Sequence, residues 1–384
     1  VPFVKFQVNR DVFSEAVSFA VKLLPQRTTL PILSGVLIEA TDQGLTLSSF
    51  DYEVSARTQI AAQVDDPGTV LVSGRLLAEI ASRLPNAPVS FSTDEGKIVV
   101  SCGSANFTLL SMPVEEYPTL PEVSQNAGVV KSEDFSAAIS QVAVAASRDD
   151  VTPVITGVQL EVSENAISLV ATDRYRVAVR EIEWDAANSG IEQATALVPA
   201  RTLTEIGKTF GHSGTISVAI TNSDDRELIA FSADNKTVTS LLIKGNFPPV
   251  RRLFPETVDN YAVLNTAELI ESVRRVSLVL EREAALRFSF SLEGLTLEAI
   301  GSEQAQASES IDAFLTGTDT VVSLKPQFLL DGLSSVHSEF VRISFTKTEN
   351  PNKPGPVLIT SQSSKDQPGA DNYKYLLQPN LLLR

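Results

Sequence analysis

Few residue groups in this chain could do chemistry, and their spacing turns most of them away. Gly207-Lys208-Thr209 ends the way a phosphate-cradling loop ends, but such a loop needs a glycine five residues earlier, where Thr202 stands. The triplet also closes a helical stretch instead of opening one, so it is read as a helix end. Asp65-Asp66, Asp149-Asp150 and Asp224-Asp225 resemble cation-holding pairs. As sequence neighbours in turn-like stretches their carboxylates diverge, and solvated turns are expected. His212 and His337 stand in unlike contexts, Cys102 is the single cysteine, and no Gly-x-Ser-x-Gly elbow occurs. No nucleophile with its base is apparent, and one thiol with two imidazoles excludes a disulfide or a structural zinc site. No catalytic residue, metal or cofactor is assigned.

The elements that would position any other site are legible as repeats. The chain has 384 residues, too many for one ordinary core, with 43% hydrophobic and 20% charged residues, as in a well-packed soluble protein. A helical stripe reads Phe13, Val17, Ala20, Leu24. It recurs as Phe135, Ile139, Val142, Ala146 and again as Leu269, Val273, Val276, Leu280. Asn9, Ser132 and Thr266 are the expected caps, and acidic first turns suit the helix dipole. A second helix repeats as RLLAEIASRL from Arg75, RTLTEIGKTF from Arg201 and QFLLDGLSSV from Gln327. Period-2 hairpins lie between the two helices of each copy, in LSGVLIEATDQGLTLSSFD, ITGVQLEVSENAISLVATD and LRFSFSLEGLTLEAIGSE.

The expected fold class is therefore α+β, three copies of a doubled βαβββ unit over 1–125, 126–256 and 257–384. Linkers are expected at Tyr117–Pro121 and at Phe247–Pro255, and Asn350–Pro356 reads as a long hairpin loop inside copy three. No apolar run approaches the roughly 20 residues that span a bilayer, and Val1–Lys5 lacks a signal-peptide core, so a cytosolic protein is expected. The net charge of −16 argues against gripping nucleic acid with the whole surface. The helical windows 11–24, 75–83, 133–148, 201–208, 267–282 and 327–336 carry only −1 between them, so the helices repel a polyanion less than the remainder does.

The triplication, the string TLPILSGVLIEA from Thr29, VATDRYRVAV from Val170 and the ending YLLQPNLLLR resemble the bacterial sliding clamps, the DNA polymerase III beta subunits, over the whole chain. Low methionine content, acidity and the NPNKPGP insertion suggest an actinobacterial member. The resemblance implies three DNA-clamp domains closing as a head-to-tail homodimeric ring, helices inside and sheets outside. It further implies no catalysis of its own, with sequence-independent, topological hold on duplex DNA. Replicative polymerase, clamp loader and other partners would dock through short apolar peptides, giving processivity. Simple geometry agrees. Helices packed about 10 Å apart give one chain a hole of only about 9 Å, whereas twelve helices from two chains leave about 28 Å, enough for a duplex.

By resemblance the peptide pocket comprises Ile155, Thr172, Arg174, Tyr175, Arg176, Val177, Pro248, Arg252, Leu253, Phe328, Leu376, Leu377, Gln378, Pro379, Asn380 and Leu381. Arg174-Tyr175 stand where the family often has Gly-His, Gln378 and Asn380 replace methionines, and Leu383-Arg384 extend the usual end. Arg27, Arg75, Arg148 and Arg201 are implied phosphate contacts, and Phe107 and Leu278 implied dimer anchors. The competing readings are an enzyme with paired carboxylates, such as a glycosidase, and a repeat scaffold with no DNA role. A stable dimer is required only by the clamp.

Overall fold

The computed structural model of the chain describes residues 3–24, 30–123, 127–186, 189–191, 193–223, 226–301, 305–350, 353–369 and 372–382. Copy one runs β1 (Lys5–Val8), α1 (Arg10–Lys22), β2 (Gly35–Thr41), β3 (Gly44–Phe50), β4 (Val54–Ile60), β5 (Gln63–Asp66), β6 (Gly68–Ser73), α2 (Gly74–Ala81), β7 (Val89–Asp94), β8 (Lys97–Cys102) and β9 (Ala105–Leu110). Copy two runs β10 (Gly128–Lys131), α3 (Ser132–Ala143), β11 (Gly157–Val162), β12 (Ala166–Thr172), β13 (Arg176–Glu183), β14 (Ala194–Pro199), α4 (Ala200–Phe210), β15 (Thr215–Ser223), β16 (Arg226–Ala233) and β17 (Lys236–Leu241). Copy three runs β18 (Asn260–Asn265), α5 (Thr266–Val276), β19 (Leu286–Ser291), β20 (Gly294–Ile300), β21 (Gln306–Ile311), β22 (Phe314–Thr316), β23 (Thr320–Leu324), α6 (Pro326–Ser334), β24 (Phe340–Phe345), β25 (Val357–Gln362) and β26 (Asn372–Leu377).

Copy two is the expected doubled βαβββ, and copies one and three add one short strand each. The additions are β5 against β1 and β22 against β18; among the described residues copy two has a bridge, Val129 to Asp185, at the same place. Asp65-Asp66 therefore lie in a strand, not in a turn. Asn9 caps α1 as expected, its Oδ1 accepting from the amides of Asp11 and Val12. At the other two stripes the expected caps fall inside the helix. Ser132 and Thr266 are the first helical residues, and Asn265 caps α5 by accepting from Glu268 N at 3.0 Å. Ten of the twelve stripe positions are buried, while Leu24 and Leu280 lie past the helix ends and are half-buried.

Sheet pairing divides the chain into two compact units that do not follow the copies. The first holds copy one with β10 and β15 to β17 of copy two, and the second holds β11 to β14 with most of α3 and copy three, the division passing through α4. In the first unit the sheets are β5-β1-β7-β8-β9 and β10-β15-β16-β17-β4-β3-β2-β6. In the second they are β14-β11-β12-β13-β26-β25-β24-β18-β22 and β21-β20-β19-β23. Alternation along the strands gives each sheet a helix-side core, as where Phe13, Val17 and Leu77 meet Ile38 and Leu47. The opposite face is partly covered by the Pro-rich straps. The first strap lays Tyr117, Met112 and Leu120 over Leu37, Phe50 and Leu71. The second lays Phe247, Val250 and Phe254 over Val170, Val177, Val179, Leu358 and Leu376.

The approach of α6 to its sheet is set by Gly332, where an added Cβ would stand 2.6 Å from Tyr375 Cδ1 in a fully buried ring. Overpacking of this kind costs about 1–3 kcal/mol. Gly332→Ala should lower the urea midpoint of unfolding accordingly without changing the denaturant slope.

Candidate functional site

The seam between β13 and β26 gathers the largest concentration of chemically distinctive side chains. Residues 172–176 form the turn entering β13. Asp173 Oδ1 accepts from the amides of Tyr175 and Arg176, an arrangement that tolerates the left-handed Arg174 (φ 81°). The same turn occurs in copy one, where Asp51 Oδ1 accepts from Glu53 N and Val54 N beside Tyr52 (φ 73°). What copy two adds is Arg176, 9% exposed. Its Nε donates to Asp173 Oδ2 at 3.0 Å, and its Nη1 donates to Asp331 Oδ2 at 2.6 Å and to Tyr375 OH at 3.2 Å. The guanidinium also lies 4.6 Å over the Phe328 ring. Burial opposes the charge, but Tyr375, Asp331 and Asp173 outweigh it and hold the Arg176 pKa above its ordinary value. Tyr375 is pushed up, chiefly by burial, and donates to the Phe328 carbonyl at 2.6 Å.

Around this ion cluster the predicted pocket residues fall into two adjoining groups. Ile155, Arg174, Tyr175, Arg176 and Phe328 line a cleft of about 560 Å³ that reaches back to Ser147, Arg148 and Thr152. Arg174 Nη2 donates to Thr152 Oγ1 at 2.8 Å, and Tyr175, 59% exposed, stacks on Phe328 with centroids 5.7 Å apart. Val177 and Leu376 belong instead to the apolar cluster under the second strap, on the far side of the Arg176 backbone. Pro248 is half-buried in that strap, and Arg252 and Leu253 are exposed on it. Arg251 pins the strap to the sheet by donating to Glu161 Oε2 at 2.7 Å. Thr172 is buried and donates to the Arg176 carbonyl at 2.7 Å. Leu377 pairs with Arg176, Gln378 N donates to Tyr175 O at 3.0 Å, Pro379 is buried, Asn380 N donates to Ser323 O at 2.8 Å, and Leu381 is exposed.

Asp173, Asp331, Tyr375 and Lys325, whose ammonium lies within 6 Å of both aromatic rings, were not singled out by the sequence as site residues. Asp173 was visible inside the basic string, but nothing local marks Asp331 as the partner of an arginine 155 positions away.

Of the remaining predicted positions, Arg75 and Arg201 are exposed in the first turns of α2 and α4. Arg148 is exposed on the cleft beyond α3, whereas Arg27, Leu383 and Arg384 lie outside the described residues. Phe107 is half-buried on edge strand β9, and Leu278 is 82% exposed just after α5. Gly207-Lys208-Thr209 occupies the end of α4. Asp149 caps a turn by accepting from Val151 N, and Asp224-Asp225 lie outside the described residues. Among the described residues no group of three or more His, Cys, Asp or Glu could hold a metal, and no helix is long and apolar enough to cross a membrane.

Three family profiles match in tandem. The DNA polymerase III beta subunit N-terminal domain matches residues 4–121, its central domain 129–249 and its C-terminal domain 251–366. The chain is 45% identical to the beta sliding clamp of Streptomyces coelicolor over 98% of each chain. It is 44% identical to that of Micrococcus luteus over 81% of this chain and 99% of the relative. The crystal structure of the DNA polymerase sliding clamp from Bacillus subtilis superposes with a TM-score of 0.90 at 25% identity, covering 99% of this chain and 100% of the other.

Removing one member of a buried ion cluster strands the others, at a cost of about 3–5 kcal/mol. Arg176→Met leaves Asp173 and Asp331 facing each other without a cation. It should lower stability by about that amount in chemical denaturation, and Arg176→Met with Asp331→Leu should recover part of the loss.

Proposed function

Because the chain belongs to the DNA polymerase III beta subunit family, we propose that it works as a sliding clamp, a processivity factor that closes as a head-to-tail dimer around duplex DNA and carries no catalytic site. On this reading the three clamp domains are 1–125, 126–256 and 257–384.

One rule of strand pairing carries the proposal. At the first seam β17, the last strand of copy two, pairs with β4, which ends the first half of copy one. At the second seam β26, the last strand of copy three, pairs with β13, which ends the first half of copy two. Continuing the rule, β9, the last strand of copy one, should pair with β21, which ends the first half of copy three. Both are edge strands within the chain. A second copy completes them, since unpaired backbone donors and acceptors on a sheet edge invite a strand of their own kind. The register can be carried over as well. Val238 faces Ala56 and Tyr375 faces Ala178, so Phe107 should face Ala307 of the partner subunit, again a large residue against alanine. Fusing the five-stranded and four-stranded sheets would give nine strands, as in the sheet of the second unit. The same equivalence sets Leu278, the counterpart of Lys22, toward the partner's α2 near the place of Glu79, the counterpart of Glu205, and Leu278 is exposed in the single chain.

Duplex DNA is held by enclosure, with Arg75, Arg148, Arg201 and Arg27 as scattered phosphate contacts. So few contacts in a chain of net charge −16 permit sliding. Partners carrying short apolar peptides dock at the β13–β26 seam, where the apolar walls of Val177, Leu376 and Leu253 adjoin the cleft of Tyr175 and Phe328. The first seam also holds a cavity, of about 720 Å³, but one ill suited to an apolar peptide. The positions equivalent to Val177, Leu376 and Leu358 are Ser55, Thr239 and Ala230 there, so its floor is small and polar. The setting is the cytoplasm, where replication enzymes work.

Size exclusion tests the closure: Leu278→Asp should convert a dimer into monomers, and an unchanged dimer peak would remove Leu278 from the interface. Enclosure is tested on DNA. Loaded protein should survive about 0.5 M salt on closed circles, well beyond the range where phosphate contacts alone hold, and leave once the circle is cut. Deleting Leu376–Arg384 should abolish calorimetric binding of a Leu- and Phe-bearing peptide, whereas Arg75→Ala should not alter it.

A further inference from the structure

The connection between β24 and β25 is out of proportion to its counterpart in copy one. There, Glu95 and Gly96 suffice to turn β7 into β8, while eleven residues, Thr346 to Pro356, separate β24 from β25. This long turn is braced internally. Thr346 Oγ1 donates to the Pro356 carbonyl at 2.7 Å, Lys353 N donates to Asn350 O at 3.0 Å, and Gly355 sits so close to Thr346 that no Cβ would fit. From it the Pro354 carbonyl accepts a hydrogen bond, at 3.2 Å, from Nε2 of Gln378. Gln378 is also the residue whose backbone amide ties the C-terminal tail to Tyr175 O, two residues before Asn380 N ties it to Ser323 O.

We propose that Gln378 is a positioning residue for partner binding: its side-chain amide latches the tail to the braced turn, so that turn and tail form one preorganised wall of the peptide groove. This rests on the assignment of the groove to the β13–β26 seam. The physical reasoning concerns the entropy of the tail. Beyond Leu377 the described tail leaves the sheet and meets a strand again through the bridge of Asn380 to Ser323, while Leu381 and Leu382 are exposed. A tail free to sample other positions must be ordered when a peptide docks, and each group already fixed lowers that cost. Two backbone hydrogen bonds fix the path of the tail, and the Gln378 side chain adds a third tether from a different direction. The geometry requires a donor at that position, because Pro354 offers only a carbonyl.

The donor requirement gives the test. A fluorescein-labelled nonapeptide with one Leu and one Phe is titrated against the full-length dimer and three variants, with dissociation followed by stopped flow. Gln378→Glu places an acceptor against the carbonyl, and Gln378→Met keeps length but donates nothing. Each should weaken binding about three- to fivefold, mainly through faster dissociation, with thermal midpoint and dimerisation unchanged. Gln378→Lys retains a donor and should stay within about twofold of the parent. Equal binding by all four proteins overturns the latch while leaving the groove in place. Loss in all three variants, lysine included, also overturns it, since Gln378 would then meet the peptide itself. If the parent fails to bind the peptide, or binds it as well after deletion of Leu376–Arg384, the groove assignment falls and the latch with it.

Discussion

An unpaired strand edge is the constraint on which this architecture turns. Each half-copy ends in a strand whose outer row of backbone donors and acceptors needs a partner, and in water or in a packed seam that need is met best by another strand. The chain meets it twice internally by lending the last strand of one copy to the middle of the copy before. Compact units therefore cut across the sequence repeats: copy two is divided, β10 and β15 to β17 built into a sheet of copy one and β11 to β14 into a sheet of copy three. Repeats joined only by linkers would each fold around a private core. Here, the sheet continues across the copy boundary, and a site at the boundary draws side chains from two copies by construction.

That explains why chemistry concentrates at one seam and not at the other. The two seams have matching registers and matching entry turns, Asp51-Tyr52 in one and Asp173-Arg174 in the other. They differ in what the shared positions hold. Val54 occupies the place of Arg176, Glu205 that of Asp331 and Thr202 that of Phe328, so those positions of the first seam hold neither a guanidinium nor an aromatic ring. A buried arginine with two carboxylates is rarely the most stable filling for such a space, because desolvation of three charges offsets most of their attraction. Its presence at a single seam favours a role in shape. It orients Phe328 and fixes the Asp173 turn, which sets the carbonyl of Tyr175 where the tail amide can reach it.

How far the sequence disclosed this depends on the range of the interaction. The helices were legible because burial repeats at helical spacing within a few residues, and the hairpins because alternation does the same for strands. Caps slipped by one residue at α5 because Asn265 and Thr266 are both good capping residues, and the choice depends on where β18 ends. The Pro-rich stretches lie between strands, and their action as straps over Phe50 or Val177 involves faces that the sequence does not label. The pocket list came by resemblance and did not include the side chains that hold Arg176. Tyr375 and Asp331 sit on strand and helix positions that read locally as an ordinary core residue and an ordinary surface acid. Only the pairing of β13 with β26 brings them to Arg176. The long turn before β25 was recognisable as an insertion, whereas its contact with Gln378 is a matter of three dimensions.

The proposed clamp places two opposite demands on binding strength, and the charge distribution answers both. A ring that slides must not find one position on DNA much better than the next, so its phosphate contacts have to be few and replaceable by water. Holding power then cannot come from affinity. It has to come from closure, and closure draws on apolar and backbone contacts at the subunit edges, such as Phe107 on β9, which salt does not screen. Partner exchange imposes a similar limit at the β13–β26 seam. A short peptide buries too little apolar surface to bind tightly at about 25 cal/mol per Å² once ordering costs are subtracted. Affinity there is raised most cheaply by fixing the groove in advance and not by enlarging it. A turn braced by its own threonine and a tail tied at Gln378 and Asn380 follow that logic, because they stiffen the wall without adding contact area.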